Sequence, residues 1–348
     1  MKRKPLKLII SMLLMMVVSC DEPETVVTNY VHPDGSVTRK IEMRNIKNDF
    51  KTMKVPFDNT WIVRDSLEIN AKGDTVWIKR AEKLFKNAEE INSAYRLDTG
   101  ANRIATRHVG FSKKFKWFNT EFRFSETIDK QMTSGYPVSE FLNDEELKYF
   151  YSPESLKSEK ENGPDSLRYR AMSDSVNHKA GRWVVKNIVS EWIGVFAKLT
   201  EGTEGKGISR ESLKAKEDLM VNLIEKYDEK FDSIWDKGVI LKEFIGEADA
   251  LKYKTEADSA LSYATETFLI DFKKYSVRIV MPGNLIGTNG FIDSSKVLLW
   301  PVDSDYFMTE QYEMWAESKV PNTWAWIVSG LFLIFVFTGV IIRVIKKG

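Results

Sequence analysis

The sequence predicts an α+β protein: an antiparallel β-rich domain with an inserted long α-helical hairpin, followed by one C-terminal transmembrane helix. Three observations point to this class. Apolar and polar residues alternate with period two in both flanks of the chain, and a helical period replaces that alternation across the middle. Near the end, an uncharged apolar run extends from Trp324 to Ile342. With 348 residues, 43% of them hydrophobic, the chain can bury a sizeable core. The expected organisation is a signal segment over 1–19, a β-rich part over 20–136, a helical insertion over 137–265, returning strands over 266–320, and a membrane helix with a short basic tail over 321–348.

At the N-terminus, Lys2, Arg3, Lys4 and Lys7 precede an apolar stretch from Leu8 to Val18. That stretch is too short to cross a hydrocarbon layer of about 30 Å and has the form of an export signal. The segment Val17-Val18-Ser19-Cys20 resembles the lipobox of bacterial lipoproteins, and Cys20 is the chain's single cysteine. The resemblance implies cleavage before Cys20 and acylation of its sulfur, palmitate included. A thiolate is the nucleophile able to form a stable thioether with a diacylglycerol.

Val27, Asn29 and Val31, then Val37, Arg39, Ile41 and Met43, alternate on either side of Pro33-Asp34-Gly35, which predicts a hairpin. Strands are also expected over Trp61 to Ile69 and Thr75 to Lys79, with a short helix over about Ala81 to Tyr95. In the aromatic series Phe111, Phe115, Trp117, Phe118, Phe122, Phe124 the phase slips between Trp117 and Phe118, as a β-bulge or a change of facing sheet would require.

From about Pro137 the period becomes helical. Val176, Ala180, Trp183, Val184, Ile188, Trp192 and Phe196 form a seam on a helix over Asp165 to Leu199. Leu213 through Trp235 form another behind Ser209 as N-cap, the two helices being joined by a linker with Gly202, Gly205 and Gly207. A third helix is expected over Glu247 to Tyr263. Strands then return before Pro282-Gly283, at Val297 to Val302, and over Tyr306 to Ser318.

Trp324 and Trp326 sit at the position of an aromatic belt, and Arg343, Lys346 and Lys347 follow the apolar run as a cytoplasmic end would. Those five residues are the expected membrane anchor, and Cys20 is the expected lipidation site. Together they place the body on the periplasmic side of a bacterial inner membrane.

Little in the sequence points to catalysis. Lys plus Arg number 51 against 50 Asp plus Glu, which disfavours nucleic acid as a partner. His32, His108 and His178 lack the spacing of metal ligands, and no nucleophile signature occurs. Glu89-Glu90 and Glu145-Glu146 read as solvated helix faces, and "GNLIGTNG" at 283–290 as a loop between strands. No catalytic, cofactor or metal residues are expected.

Met281-Pro282-Gly283, Asn289-Gly290, the strand with Val297 and Trp300, and "MWAESKVPN" before the last helix resemble the C-terminal end of LppM-type envelope lipoprotein domains. Asp34, Gly35 and Ser36 match the early hairpin of that family. The resemblance covers about 20–60 and 266–345, while the helical section between departs from the compact pattern. It implies an envelope-anchored β-domain with lipid or glycolipid contact and supplies no catalytic residue. The expected function is a membrane-anchored binding or scaffolding module with an envelope protein partner or a lipid. Lipid or glycolipid binding, or an enzyme of unread chemistry, is the alternative.

Overall fold

A computed structural model describes residues 24–50, 58–70, 73–98, 101–132, 135–201, 208–227, 230–268, 272–292 and 297–346. Cys20, the export signal, the 202–207 linker and Lys347 lie outside the described residues.

In chain order the first strands are β1 (Glu24–Val31), β2 (Val37–Asn45), β3 (Ile62–Ile69) and β4 (Thr75–Phe85), then helix α1 (Ala88–Arg96), β5 (Arg107–Lys116) and β6 (Asn119–Ile128). The helical stretch holds α2 (Asp144–Phe150), α3 (Glu154–Glu161), α4 (Ser166–Glu201), α5 (Arg210–Lys214) and α6 (Glu217–Tyr227). It continues with α7 (Phe231–Asp236), α8 (Val239–Ile245), α9 (Glu247–Lys252) and α10 (Lys254–Phe268). β7 (Tyr275–Val280), β8 (Asn284–Thr288), β9 (Phe291–Ile292), β10 (Leu298–Val302) and β11 (Tyr312–Pro321) lead to α11 (Thr323–Ile345). The described residues group into two compact units: a β unit of 24–128, 275–300 and 313 onward, and a helical unit of 129–274 with 301–312.

Two sheets build the β unit, a seven-stranded one in the order β3-β4-β2-β1-β7-β10-β9 and a four-stranded one in the order β5-β6-β11-β8. The β1–β2 hairpin turns at the expected residues. Asp34 Oδ1 accepts from the Ser36 N–H at 3.0 Å, and Gly35 adopts a φ of 94°. A Cβ at Gly35 would stand 2.9 Å from the Phe111 ring, so the turn needs glycine for space as well as for backbone freedom. β1 also pairs with β7 in parallel, Val26 opposite Ser276, whereas β1–β2, β2–β4, β3–β4 and β9–β10 pair antiparallel.

Three expectations in this unit are corrected. β4 continues to Phe85 instead of turning helical at Ala81, because β2 and β3 hold it on both sides and two ladders outweigh the local helical preference. Helix α1 begins only after Asn87, whose side chain accepts from the Glu90 N–H at 3.0 Å. The aromatic phase slip is neither a bulge nor a change of sheet: Trp117 and Phe118 are the two-residue turn joining β5 to β6, with Lys116 opposite Asn119. Residues 284–288, expected as loop, form strand β8 paired to β11.

In the helical unit, α4 runs 36 residues, about 54 Å, with Trp183, Ile188, Val189, Trp192, Ile193 and Phe196 buried along it. Trp192 stacks on Phe196 at 4.6 Å, meets Trp235 and Phe244 edge to face, and donates its indole N–H to the Ala257 carbonyl at 3.0 Å. Ala257, Ala260 and Ala264 of α10 are fully buried, and their small side chains let α10 lie close to α4.

The helix expected from Ser209 to Trp235 is instead the three helices α5, α6 and α7, with Ser209 capping the first through a bond from the Ser212 N–H. Periodicity persists across breaks that the tertiary core, not the local pattern, makes advantageous. Among them, buried Glu217 begins α6 and accepts from Lys214 Nζ at 2.7 Å and from the Tyr136 hydroxyl. The third expected helix is two, α9 and α10, and α10 still includes Thr267 and Phe268, assigned above to a strand. Tyr306 ends a short 3-10 turn, so the last strand begins only at Tyr312. Glu146 is not solvated. It is buried, closes a capping box with Asn143, and accepts from Lys179 at 2.6 Å and Ser175 at 2.8 Å.

Candidate functional site

The outer face of the seven-stranded sheet carries an open groove of about 710 Å³ across β1, β2, β3, β4 and β7. Alternation along the strands sets its lining: Thr28 and Tyr30 of β1, Lys40, Glu42 and Arg44 of β2, Arg64 of β3, Arg80 and Glu82 of β4, and Arg278 of β7. Glu42 is clasped by two guanidiniums, accepting from Arg44 Nε at 2.8 Å and Arg80 Nε at 2.7 Å. Lys40 pairs with Glu82 at 3.1 Å. Five cationic side chains line the groove against the carboxylates of Glu24, Glu42 and Glu82, so cations are in excess. Arg64 is exposed and makes no ion pair among the described residues.

Behind this groove, on the opposite face of the same strands, lies a buried polar cluster. Asn29 and Arg39 face each other across the β1–β2 ladder, and Arg39 Nε donates to Asn29 Oδ1 at 2.7 Å. The Arg39 guanidinium also donates to Glu126 of β6 at 2.8 Å and to the Tyr95 hydroxyl. Tyr95, on α1, donates in turn to the other Glu126 oxygen at 2.6 Å. Arg107 lies over the Tyr95 ring at 4.6 Å, with Asp98 3.9 Å away. Burial pushes the Tyr95 phenol above the ordinary tyrosine range and that of Tyr275, at the start of β7, up to about 12, so both hydroxyls remain protonated at neutral pH. The cluster ties both sheets and α1 together, and its tyrosines cannot serve as bases.

A third feature is α11. It is 23 residues long with a mean hydropathy of 2.5 and almost wholly exposed, so it is long and apolar enough to cross a membrane. Of the expected anchor residues, Trp324 stacks on Phe115 at 6.2 Å and meets Trp117 edge to face at 5.3 Å, while Trp326 packs on Phe118 at 4.4 Å. Arg343 lies in the helix's last turn, and Lys346 follows at its end. Asn322, just before the helix, donates Nδ2 to the Lys116 carbonyl at 2.7 Å and accepts from Thr120 Oγ1 at 2.9 Å.

No family model matches the chain. No curated protein matches it either. The chain bears a distant resemblance to a solved structure. That structure is the folded domain of the Mycobacterium tuberculosis LppM protein, at 9% identity and a TM-score of 0.26, with 88% of this chain and 95% of that one covered. At that TM-score the likeness carries no functional argument.

The helical unit holds one titratable group of a different kind. Burial, with Asp303 nearby, raises the Asp305 carboxyl to about 7, while Lys274 sits 2.5 Å from Asp303. Among the described residues, no three His, Cys, Asp or Glu side chains converge as metal ligands.

Sequence reasoning passed over Arg39, Tyr95, Arg107 and Glu126. A signal was present: Arg39 stands in the inward phase of Val37, Ile41 and Met43, and Glu126 in that of Phe122 and Phe124. A charge in the apolar phase of a strand marks a buried partner.

Proposed function

We propose that this protein is a membrane-anchored envelope lipoprotein acting as a non-catalytic binding or scaffolding module, which offers the basic groove of its seven-stranded sheet to an anionic partner. The observation that carries the reading is the groove itself, a space of about 710 Å³ with five cationic side chains. Its floor is held from behind by the Arg39–Glu126 cluster, so its shape is preorganised before a ligand arrives. Arg44 and Arg80 are already engaged by Glu42, which leaves Arg64 the most available charge. A guanidinium of that kind suits carboxylate or phosphate oxygens.

In this reading α11 spans the inner membrane, Cys20 carries the acyl chains, and the β unit faces the periplasm. The two anchors hold the first and last strands near one bilayer. Cys20→Ser would abolish incorporation of labelled acyl chains and leave the protein in the membrane fraction, because a spanning helix binds irreversibly without help from lipid.

The test of the groove uses the full chain in mild detergent, titrated with a fluorescent oligo-glutamate peptide and, in parallel, oligo-lysine. Oligo-glutamate alone should bind, more weakly as salt rises, and Arg64→Glu should abolish that binding. Equal binding of both peptides, or binding unchanged in Arg64→Glu, would overturn the reading.

A further inference from the structure

The tip of the β5–β6 hairpin does not hang free in the β unit. It is bolted to the start of α11 at four places. The Asn322 N–H donates to the Phe118 carbonyl at 3.0 Å, and its side chain spans Lys116 and Thr120. The Trp326 indole donates to the Phe118 carbonyl at 3.2 Å, and the Trp117 indole donates to Ser329 Oγ at 2.9 Å. The last contact sets a depth. Ser329 lies six residues beyond Thr323, the first residue of the helix, hence about 9 Å along its axis.

A 23-residue helix is about 34 Å long and exceeds a hydrocarbon layer of about 30 Å, so its first residues lie among the headgroups. Trp117, hung about 9 Å down a helix that exceeds the layer by only about 4 Å, then reaches past the headgroups to the outer ends of the acyl chains. Phe115, Trp117 and Phe118 are nevertheless 57%, 48% and 41% exposed, even with Trp324 and Trp326 against them. Three large aromatics at the tip of a two-residue turn have no folding reason to face water. Tyrosine and tryptophan rings gather at that level of a bilayer. Exposed Lys114 and Lys116 flank them on β5.

We propose that the β5–β6 hairpin tip is a second membrane contact, with Phe115, Trp117 and Phe118 seated in the bilayer interface beside α11 and Lys114 and Lys116 over anionic headgroups. The inference rests on α11 spanning the membrane. It adds that the β unit is held at a fixed height and tilt, since a hairpin and a helix joined by hydrogen bonds cannot swivel as a helix on a linker does.

The test is photocrosslinking of the full chain in vesicles of phosphatidylcholine with or without phosphatidylglycerol. Benzoylphenylalanine replaces Trp117, or Phe118 as an independent neighbour, with Phe332 in mid-helix and Ser66 on β3 as references. Lipid adducts at 117, 118 and 332 but not at 66 are expected. Adducts at 332 without any at 117 or 118 overturn the hairpin contact and leave the spanning helix intact, whereas none at 332 overturns both. In phosphatidylglycerol vesicles, Lys114→Glu with Lys116→Glu should lower the adduct yield at 117, with little change in phosphatidylcholine alone. Equal yields in the two would overturn the role given to the lysines.

Discussion

The Arg39 guanidinium of β2 and the Glu126 carboxylate of β6 meet at 2.8 Å, each with its side chain 1% exposed, and they join the two sheets of the β unit. A pair so fully removed from water is costly to break singly, since the survivor is left as an uncompensated buried charge. Glu126→Ala should therefore destabilise the β unit by about 3–5 kcal/mol. Replacing Arg39 with Met and Glu126 with Leu together should cost much less. Denaturant midpoints of the two variants check this, and a loss in the double variant as large as that in Glu126→Ala would contradict it.

Asp305 contributes a pH dependence to the helical unit. In the folded chain it keeps its proton up to about pH 7, whereas an unperturbed carboxyl loses it near 3.8. Between those values the folded state binds the extra proton, so stability falls as pH rises and is lowest above 7. Its partial exposure screens some of the effect. Asp305→Asn should be more stable than the parent at pH 8, with a smaller difference between pH 5 and pH 8. Thermal melts at the two pH values provide the measurement.

Two glycines should respond to alanine in opposite directions. A Cβ on Gly290 would stand 2.4 Å from the buried Trp300 ring, so Gly290→Ala should cost about 1–3 kcal/mol through overpacking and perturb the Trp300 bond to Asn289. Gly181 lies mid-way along α4 with nothing near its missing Cβ, and alanine there should stabilise by about 0.5–1 kcal/mol. Melting temperatures separate the two.

Ala260 is fully buried on the face of α10 that packs on α4. Ala260→Leu inserts three carbons at a fully buried position and should destabilise the helical unit by about 1–3 kcal/mol. Ala260→Gly should cost about 1 kcal/mol by helix propensity alone. Circular dichroism on urea titration distinguishes the two effects.

The sequence by itself determined whatever depends on neighbours along the chain. The β1–β2 hairpin follows from alternation around Pro33-Asp34-Gly35, α4 from a seam that repeats from Val176 to Phe196, and α11 from an uncharged run. The mixed class follows from these alone, because each period is a local property that no distant contact must complete.

Only the tertiary structure decided what depends on partners far away in the chain. β4 stays extended through Phe85 because β2 and β3 flank it, and 284–288 becomes a strand because β11 offers an edge. Arg39 can stay buried in the inward phase of its strand because Glu126 comes from 87 residues away to pair with it. The groove behind it gathers charges from five strands, and Trp117 reaches Ser329 across 212 residues. Such contacts are set by the closure of long loops and by the electrostatic need to pair a charge once water is gone, and neither is written in any short window of residues.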